Sequence, residues 1–514
     1  MRKMFAGCAL LIAASSFAQV RETTTVEVVE VPVYVSANGA PVTSLTKDNF
    51  KLFINGKPQT IDYFDITDYA TLSPEQSQDV RQRRLYMLVF DLLSPANALH
   101  RARKAALEFV DAAAPNETIG VSTFNVGGMK VVLPFSRDHA ALERAIRELD
   151  LTNVNDPLHL TVGPTERGND GGWNGRLRDP MADPNLFNPE LTVVALAEDE
   201  VAFLADLADR LAGMEGQKHV VLLSAGFSSY AMHGVRDGLT PGDVRIGPGG
   251  MAGIGRVGAA RGAPLANTIL LEQIEGLHTA YAAAGVFLDA IDIGGLRYFQ
   301  SALSNDSLYA LVHDTGGRVI DRRNDLSQAM QVLTDLHRVV YTLGFRAMDT
   351  GKPENRIKVN LVNVPRGLQA SYRSSYQSGG AQVDTGDMLR LADIIQNDIP
   401  QNGVTTNVSA VPSAKGADVE VDIPGRELLA HAGGGFIGAK VMLYVMSGKG
   451  VVAFRIKRLD IDVAKAAAGL EQAPVRVRDT FELPPGNYAA KVIVRMDTSG
   501  ALGFGRADVI VPIE

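Results

Sequence analysis

The 514-residue chain has one cysteine and one tryptophan, Cys8 and Trp173. Cys8 sits in a short apolar stretch, Met4–Ala14, preceded by Arg2 and Lys3 and followed by Ser16-Phe17-Ala18. A positive start, an apolar core and small residues at the end make residues 1–18 a signal peptide, with cleavage expected after Ala18. Cleavage removes the only thiol. The mature protein is then expected to hold no disulfide and to run no thiol chemistry, although it is exported to the periplasm or beyond the cell. Its domains have to be stable through their cores.

Long apolar runs are missing too. Met4–Ala14 is short for a membrane span of about 20 residues. No later stretch is long and apolar enough, so no transmembrane segment is expected after signal cleavage. There is no excess of positive charge: the formal net charge is −8. No basic stripe with interleaved aromatics occurs, which argues against nucleic acid as a partner. The nine histidines never fall in an H-x-x-x-H spacing, and with the cysteine gone no zinc-binding spacing remains. The Gly-rich stretch Gly249–Gly258 follows no strand-to-helix step, which argues against a phosphate loop.

What is present reads as ordinary globular protein, with 46% hydrophobic and 21% charged residues. The length suggests about three domains. The chain is organised around Arg83–Ala114. Leu85–Phe90 is a nearly continuous apolar run, which suits a strand buried on both faces. It ends in Asp91. Ser94 and Pro95 then suit a helix start, with Ser94 as N-cap. Leu99, Ala102, Ala106, Phe109 and Val110 follow at helical spacing. A buried strand, an acid at its end and a returning helix describe the first unit of an open α/β sheet, where ligands bind at the carboxyl ends of strands.

Before this unit, Val26–Val35, Asn49–Ile54 and Thr60–Ile66 read as strands, with Asn55-Gly56 as a hairpin turn. This β unit, residues 24–70, is too small to bury much by itself. Tyr341–Phe345, Arg356–Val362 and Leu368–Tyr376 are strands of similar kind. The expectation is that residues 340–378 complete the N-terminal β unit. Between them, residues 83–340 alternate strands (Thr118–Asn125, Met129–Phe135, His219–Ser224, Gly285–Ile291, Arg318–Ile320) with helices, including Asp138–Leu149 and Thr192–Met214. That alternation predicts a doubly wound, mostly parallel sheet. Residues 387–514 hold about seven strand-like runs and the turn Pro484–Asn487, which suits an immunoglobulin-like β-sandwich.

Two long Gly-rich insertions, Thr152–Glu190 and Ser228–Ala266, interrupt the α/β part. Loops this long in compact domains are usually functional or disordered. Both follow elements that can open at the ligand edge. Trp173 lies in the first and is a candidate partner contact, together with Asp91.

The set YMLVFD, VVLLSAG and FLDAIDIG resembles a von Willebrand factor type A domain. With VEVVEVPVYVSANGAPVTSLTKDNFKLFINGKPQTIDYF before it and YTLGF and RIKVNLVNVPRGLQASYRSSY after it, the chain resembles the exported type-A-related proteins common in Acidobacteria. The resemblance covers roughly Val26–Tyr376. The closing LPPGNYAAKVIVRM resembles the sandwich often appended to them. In metal-binding type A domains, an Asp-x-Ser-x-Ser run, a Thr in a later loop and an Asp after the fourth strand hold a divalent cation that takes a carboxylate from the partner protein. Asp91 matches the first Asp. Leu93 and Pro95 occupy the two Ser positions, Ser94 is one residue off register, and Ala225 replaces the later Asp. Thr152 is the nearest candidate for the Thr.

The resemblance therefore implies protein–protein recognition with metal dependence lost, by a non-enzymatic scaffold whose partner lies in the cell envelope or outside the cell. No cofactor is expected. The alternative is a cation-dependent adhesin that holds Mg²⁺ or Mn²⁺ through Asp91, Ser94 and Thr152. Another is an envelope hydrolase built on Ser224, whose Leu222–Gly226 setting faintly resembles a nucleophile elbow but lacks its first Gly. Such an enzyme needs a His and an acid nearby. His278 and His313 are read as structural residues on helices with apolar neighbours. Asp289 and Asp292 have odd spacing on a strand, which sends them to opposite faces.

Overall fold

The computed structural model describes residues 28–151, 189–227, 230–233, 244–246, 252–254, 267–296, 305–347, 354–377, 387–448 and 450–512. Residues 1–18, Thr152, Trp173 and most of both Gly-rich insertions lie outside the described residues. The described chain is mixed α/β with a large β content spread over several sheets. No helix among the described residues is long and apolar enough to cross a membrane.

Valines at every second position drive the first strand, β1 (Val28–Ala37). Val29, Val31, Val33 and Val35 are all buried on one face. β2 (Phe50–Ile54) and β3 (Tyr63–Asp68) follow.

The α/β region then begins with β4 (Arg84–Asp91), buried at every residue. Next come α1 (Ala96–Asp111), β5 (Glu117–Asn125), β6 (Gly128–Ser136) and α2 (His139–Arg147). Asp138 caps α2 through the Ala141 N–H. After the first insertion come α3 (Pro189–Leu211) and β7 (Gln217–Ser224). After the second come α4 (Thr268–Ala284), β8 (Val286–Asp292), α5 (Asp306–Val312), β9 (Val319–Ile320) and α6 (Leu326–Leu336). The six strands stand in the order β9-β8-β7-β4-β5-β6. All neighbours are parallel except β5 and β6. Residues of α1, α2 and α6 pack on one face, and residues of α3, α4 and α5 on the other. Coverage of both faces is the reason β4 reads as one apolar run rather than an alternation. The chain leaves β4 toward β5 and β6, then crosses to β7 on the other side. The gap between the carboxyl ends of β4 and β7 is therefore a topological switch point.

The chain returns to the first β unit through β10 (Val339–Arg346), β11 (Glu354–Leu361) and β12 (Leu368–Ser371). β10 runs antiparallel between β1 and β3, with Leu343 opposite Val31 and Tyr341 opposite Ile66. β11 pairs with β2, with Val359 opposite Leu52. The single strand expected at Leu368–Tyr376 is broken after Ser371 and resumes at Ser375. Within the break, Arg373 donates to the Ala282 and Glu30 carbonyls.

α7 (Asp387–Asn397) leads into the last region. Its Asp393 forms a bidentate pair with Arg83, at 2.9 and 2.6 Å, with both side chains almost fully buried. Its Ile394 and Ile395 pack with Met442 and Ile493. Seven strands follow: β13 (Asn407–Ser413), β14 (Gly416–Ile423), β15 (Phe436–Ser447), β16 (Gly450–Asp462), β17 (Val475–Glu482), β18 (Gly486–Met496) and β19 (Leu502–Val511). They form two sheets, β13-β14-β17 and β16-β15-β18-β19. Alternate residues such as Val419, Val421, Val441, Leu443, Val492 and Val494 meet in a shared core. Each such side chain contributes about 1.5–3 kcal/mol on burial, which lets this region stand without a disulfide.

Candidate functional site

Asp91 ends β4 at the switch point and is 3% exposed. Its Oδ1 accepts the Leu93 N–H at 2.9 Å. Its Oδ2 accepts two hydroxyls, Ser94 Oγ at 2.7 Å and Ser224 Oγ at 2.6 Å. Ser94 Oγ in turn accepts the Ala225 N–H at 2.8 Å, and Ser224 Oγ accepts the Gly226 N–H at 2.8 Å. The loop after β4 and the end of β7 are thus tied together through one carboxylate.

This corrects the role read for Ser94. It is not the helix cap: Pro95 occupies the N-cap of α1 with no side-chain bond. The Ser94 hydroxyl is taken instead by the Asp91 carboxylate and the Ala225 N–H. The turn after Ser224 depends on Gly226, whose φ is +76° and whose added Cβ would lie 2.6 Å from Ser307 Oγ.

Burial pushes the Asp91 carboxyl up, against the Ser224 and Ser94 hydroxyls and the Leu93 N–H, which favour its charged form. Glu200 on α3 is 4% exposed, and its Oε1 has no hydrogen-bond partner among the described residues. Burial first, and the charge of Asp91 second, push its carboxyl well above the usual range.

Among the described residues, the donor set does not fit the metal centre of type A domains. Both hydroxyls that could face an ion donate to Asp91 Oδ2, and Ala225 brings only its backbone N–H. The structure joins Asp91 and Ser94 and adds Ser224; Thr152 and Trp173 lie outside the described residues. Ser224 is fully buried, and its bonds are to Asp91 and Gly226, with no imidazole among the described residues. His278 bonds the Ala310 carbonyl at 2.9 Å. His313, expected within an apolar helix, follows α5 at its C-cap and pairs on the surface with Asp314.

A second cluster lies deeper, between the α/β sheet and the first β unit, and no spacing motif marks it. His219 on β7 places Nδ1 3.1 Å from Asp289 Oδ2, and His337 at the end of α6 places Nε2 3.4 Å from the same oxygen. The two imidazole rings stack with centroids 3.8 Å apart. Tyr34 Oη of β1 is 3.1 Å from His219 Nε2, and Tyr86 Oη is 3.5 Å from His337 Nδ1. The Arg318 N–H donates to Asp289 Oδ1 at 2.9 Å. Burial, with His337 beside it, pushes His219 down to about 3 despite Asp289. Burial acts to raise the Asp289 carboxyl, but the two imidazoles outweigh it and hold the carboxyl well below the usual range. Asp292 takes no part; its Oδ1 accepts the Gly294 N–H. The legible signal was a His and an Asp inside apolar strand runs, HVVLLS and GVFLDAI, because a buried polar group needs a partner.

No protein-family model matches the chain, and no curated protein matches it. Solved structures that match include a variant of the PilB minor pilin from Streptococcus sanguinis, 12% identical over 50% of this chain and 62% of that one, with a TM-score of 0.26. The chain thus spans less than two thirds of that pilin. The SpRpn10 VWA domain is 12% identical over 48% of this chain and 94% of that one, with a TM-score of 0.20. Three N-terminal domains of the type V pili tip protein Mfa5 from Porphyromonas gingivalis are 10% identical over 95% and 99%, with a TM-score of 0.26. With TM-scores this low, no activity or partner passes from them to this chain.

Proposed function

We propose that this chain is an exported, non-enzymatic protein-recognition and scaffolding protein. Its α/β region is the recognition head, a von Willebrand factor type A-related domain with a degenerate metal site. The immunoglobulin-like sandwich at residues 387–514 spaces it, and α7 holds the two in register through Arg83 and Asp393. Recognition takes place at the carboxyl edge around Asp91. The partner is a protein of the cell envelope or the exterior.

The observation that carries this reading is the closed Asp91–Ser94–Ser224 network at the switch point. The carboxylate is consumed in holding two loops together, so the edge is a shaped surface rather than a reaction centre or an ion cradle. Leu93, 36% exposed beside it, is the apolar point of the rim.

Site-specific photo-crosslinking in the native host tests this. A benzoylphenylalanine at Leu93 is expected to give a discrete protein adduct that persists in EDTA, and one at Val411 on the sandwich is not. Absence of any Leu93 adduct would remove the carboxyl edge as the binding surface. Hydrolysis of envelope polysaccharide or peptide that is lost in Ser224→Ala would replace recognition with catalysis.

A further inference from the structure

The cluster between the α/β sheet and the first β unit gathers three potential ligands from distant parts of the chain. His219, Asp289 and His337 each offer one atom, all lie within 4.8 Å of one another, and all three residues are buried. We propose that these three residues form a buried binding site for a divalent metal ion of the Zn²⁺ class, which fastens the α/β sheet to the first β unit.

The two nitrogen-to-oxygen spacings support this, and the imidazoles, stacked at 3.8 Å, would splay apart around the ion. Zn²⁺ held tetrahedrally with bonds of about 2.0–2.1 Å sets neighbouring donor atoms roughly 3.3 Å apart. The two imidazole nitrogens lie 3.1 and 3.4 Å from Asp289 Oδ2. Two imidazoles and one carboxylate are a nitrogen-rich set that suits Zn²⁺ better than Mg²⁺ or Ca²⁺, which favour oxygen. Three protein donors and one further ligand complete its usual coordination.

The outer contacts can orient ligand histidines, with tyrosine hydroxyls in the place more often taken by a carboxylate, a carbonyl or water. A metal-bound imidazole donates its second N–H to a fixed acceptor, which sets the nitrogen that faces the ion. Here Tyr34 Oη stands at His219 Nε2 and Tyr86 Oη at His337 Nδ1. The backbone N–H of Arg318 steadies the carboxylate from its other oxygen. Charge agrees as well. A carboxylate buried this deeply calls for a cation. Two guanidiniums lie near: Arg84 is committed to Glu117 at 2.5 Å and to the His337 carbonyl, and Arg318 interacts with Asp289 through space.

The position gives the ion a structural task. His219 and Asp289 belong to adjacent strands of the α/β sheet, whereas His337 leads directly into β10. Tyr34 arrives from β1 and also packs on Phe287. An ion here closes the seam between the two units, away from the recognition edge, and the inference stands independently of the proposed function.

Metal content distinguishes a bound ion from direct N–H···O hydrogen bonds. The mature full-length protein would be purified and measured by elemental mass spectrometry. It would then be unfolded with a chelator and refolded with Zn²⁺, with Co²⁺ or with neither. Bound Zn²⁺ at one per chain, a tetrahedral Co²⁺ visible spectrum and a lower Tm without metal are expected. His219→Gln and His337→Gln should lose the metal, while Asp91→Ala keeps it. If the histidine variants do not fold, the wild-type stoichiometry and Co²⁺ spectrum decide alone. Natively folded wild-type protein that takes up neither ion would overturn the proposal and leave a metal-free His–Asp network. Metal lost in Asp91→Ala but kept in the histidine variants would move the ion to the carboxyl edge and overturn it equally.

Discussion

Ser224 Oγ donates to Asp91 Oδ2 at 2.6 Å across 133 residues of sequence, joining the carboxyl ends of β4 and β7. Asp91→Ala strands the Ser94 and Ser224 hydroxyls in a buried site. An orphaned buried polar group costs about 1–3 kcal/mol, so a clear fall in urea midpoint is expected. Mg²⁺ or Mn²⁺ should leave the wild-type Tm in place. An ion at 100 times its dissociation constant would add about 2.7 kcal/mol. A rise in Tm with Mg²⁺ or Mn²⁺ that vanishes in Asp91→Ala would therefore restore cation-dependent adhesion.

Glu200 supplies a pH signature. Its folded-state carboxyl is pushed well up by burial and by Asp91, so between its unfolded and folded pKa values the folded protein binds more protons. The stabilisation is complete below the unfolded pKa and is lost as pH rises through the folded pKa, with a slope of at most about 1.4 kcal/mol per pH unit. Glu200→Gln is expected to raise stability at neutral pH and leave it unchanged near pH 4. Chemical denaturation across that range reads the difference. An equal gain at both pH values would assign the effect to packing instead.

Two ion pairs should differ sharply. Arg83–Asp393 is almost fully buried, and Asp393→Ala leaves an uncompensated guanidinium, a change that costs roughly 3–5 kcal/mol. Arg338–Asp68 is bidentate but 42% exposed on the Arg338 side, and exposed pairs contribute about 0–1 kcal/mol. Urea unfolding of Asp393→Ala and Asp68→Ala should separate by several-fold. Comparable losses would mean that α7 does not depend on its ion pair.

Gly226→Ala tests the turn that aims Ser224. An alanine at φ +76° is strained, and its Cβ would press on Ser307 Oγ. A loss of about 1 kcal/mol or more is expected, with a matching fall in the Leu93 crosslink. A variant as stable as wild type would show that the turn adapts.

Several elements were legible because they follow local rules. The run Leu85–Phe90 announced β4, since only a strand covered on both faces can be apolar throughout. Alternating valines announced β1, and Asp138 announced the start of α2. Ser94 misled, because Ser before Pro is a good cap signal and the sequence does not display the competing carboxylate. Ser224 was readable as an isolated hydroxyl in a strand-end turn, and was therefore weighed as a nucleophile. Its actual partner is fixed by the parallel pairing of β4 with β7, which brings the two strand ends level.

His219 and His337 escaped for a related reason. Neither belongs to a spacing motif, because their meeting point is set by a strand, a helix end and the return of β10 to β1. The sequence alone determined the alternation of strands and helices, the polarity of each face and the acid that ends the central strand. These are properties of neighbouring residues, set by sterics and by burial. Tertiary structure decided which hydroxyls Asp91 accepts and which imidazoles surround Asp289. Those contacts join residues far apart in the chain, and strand order brings them within bonding distance.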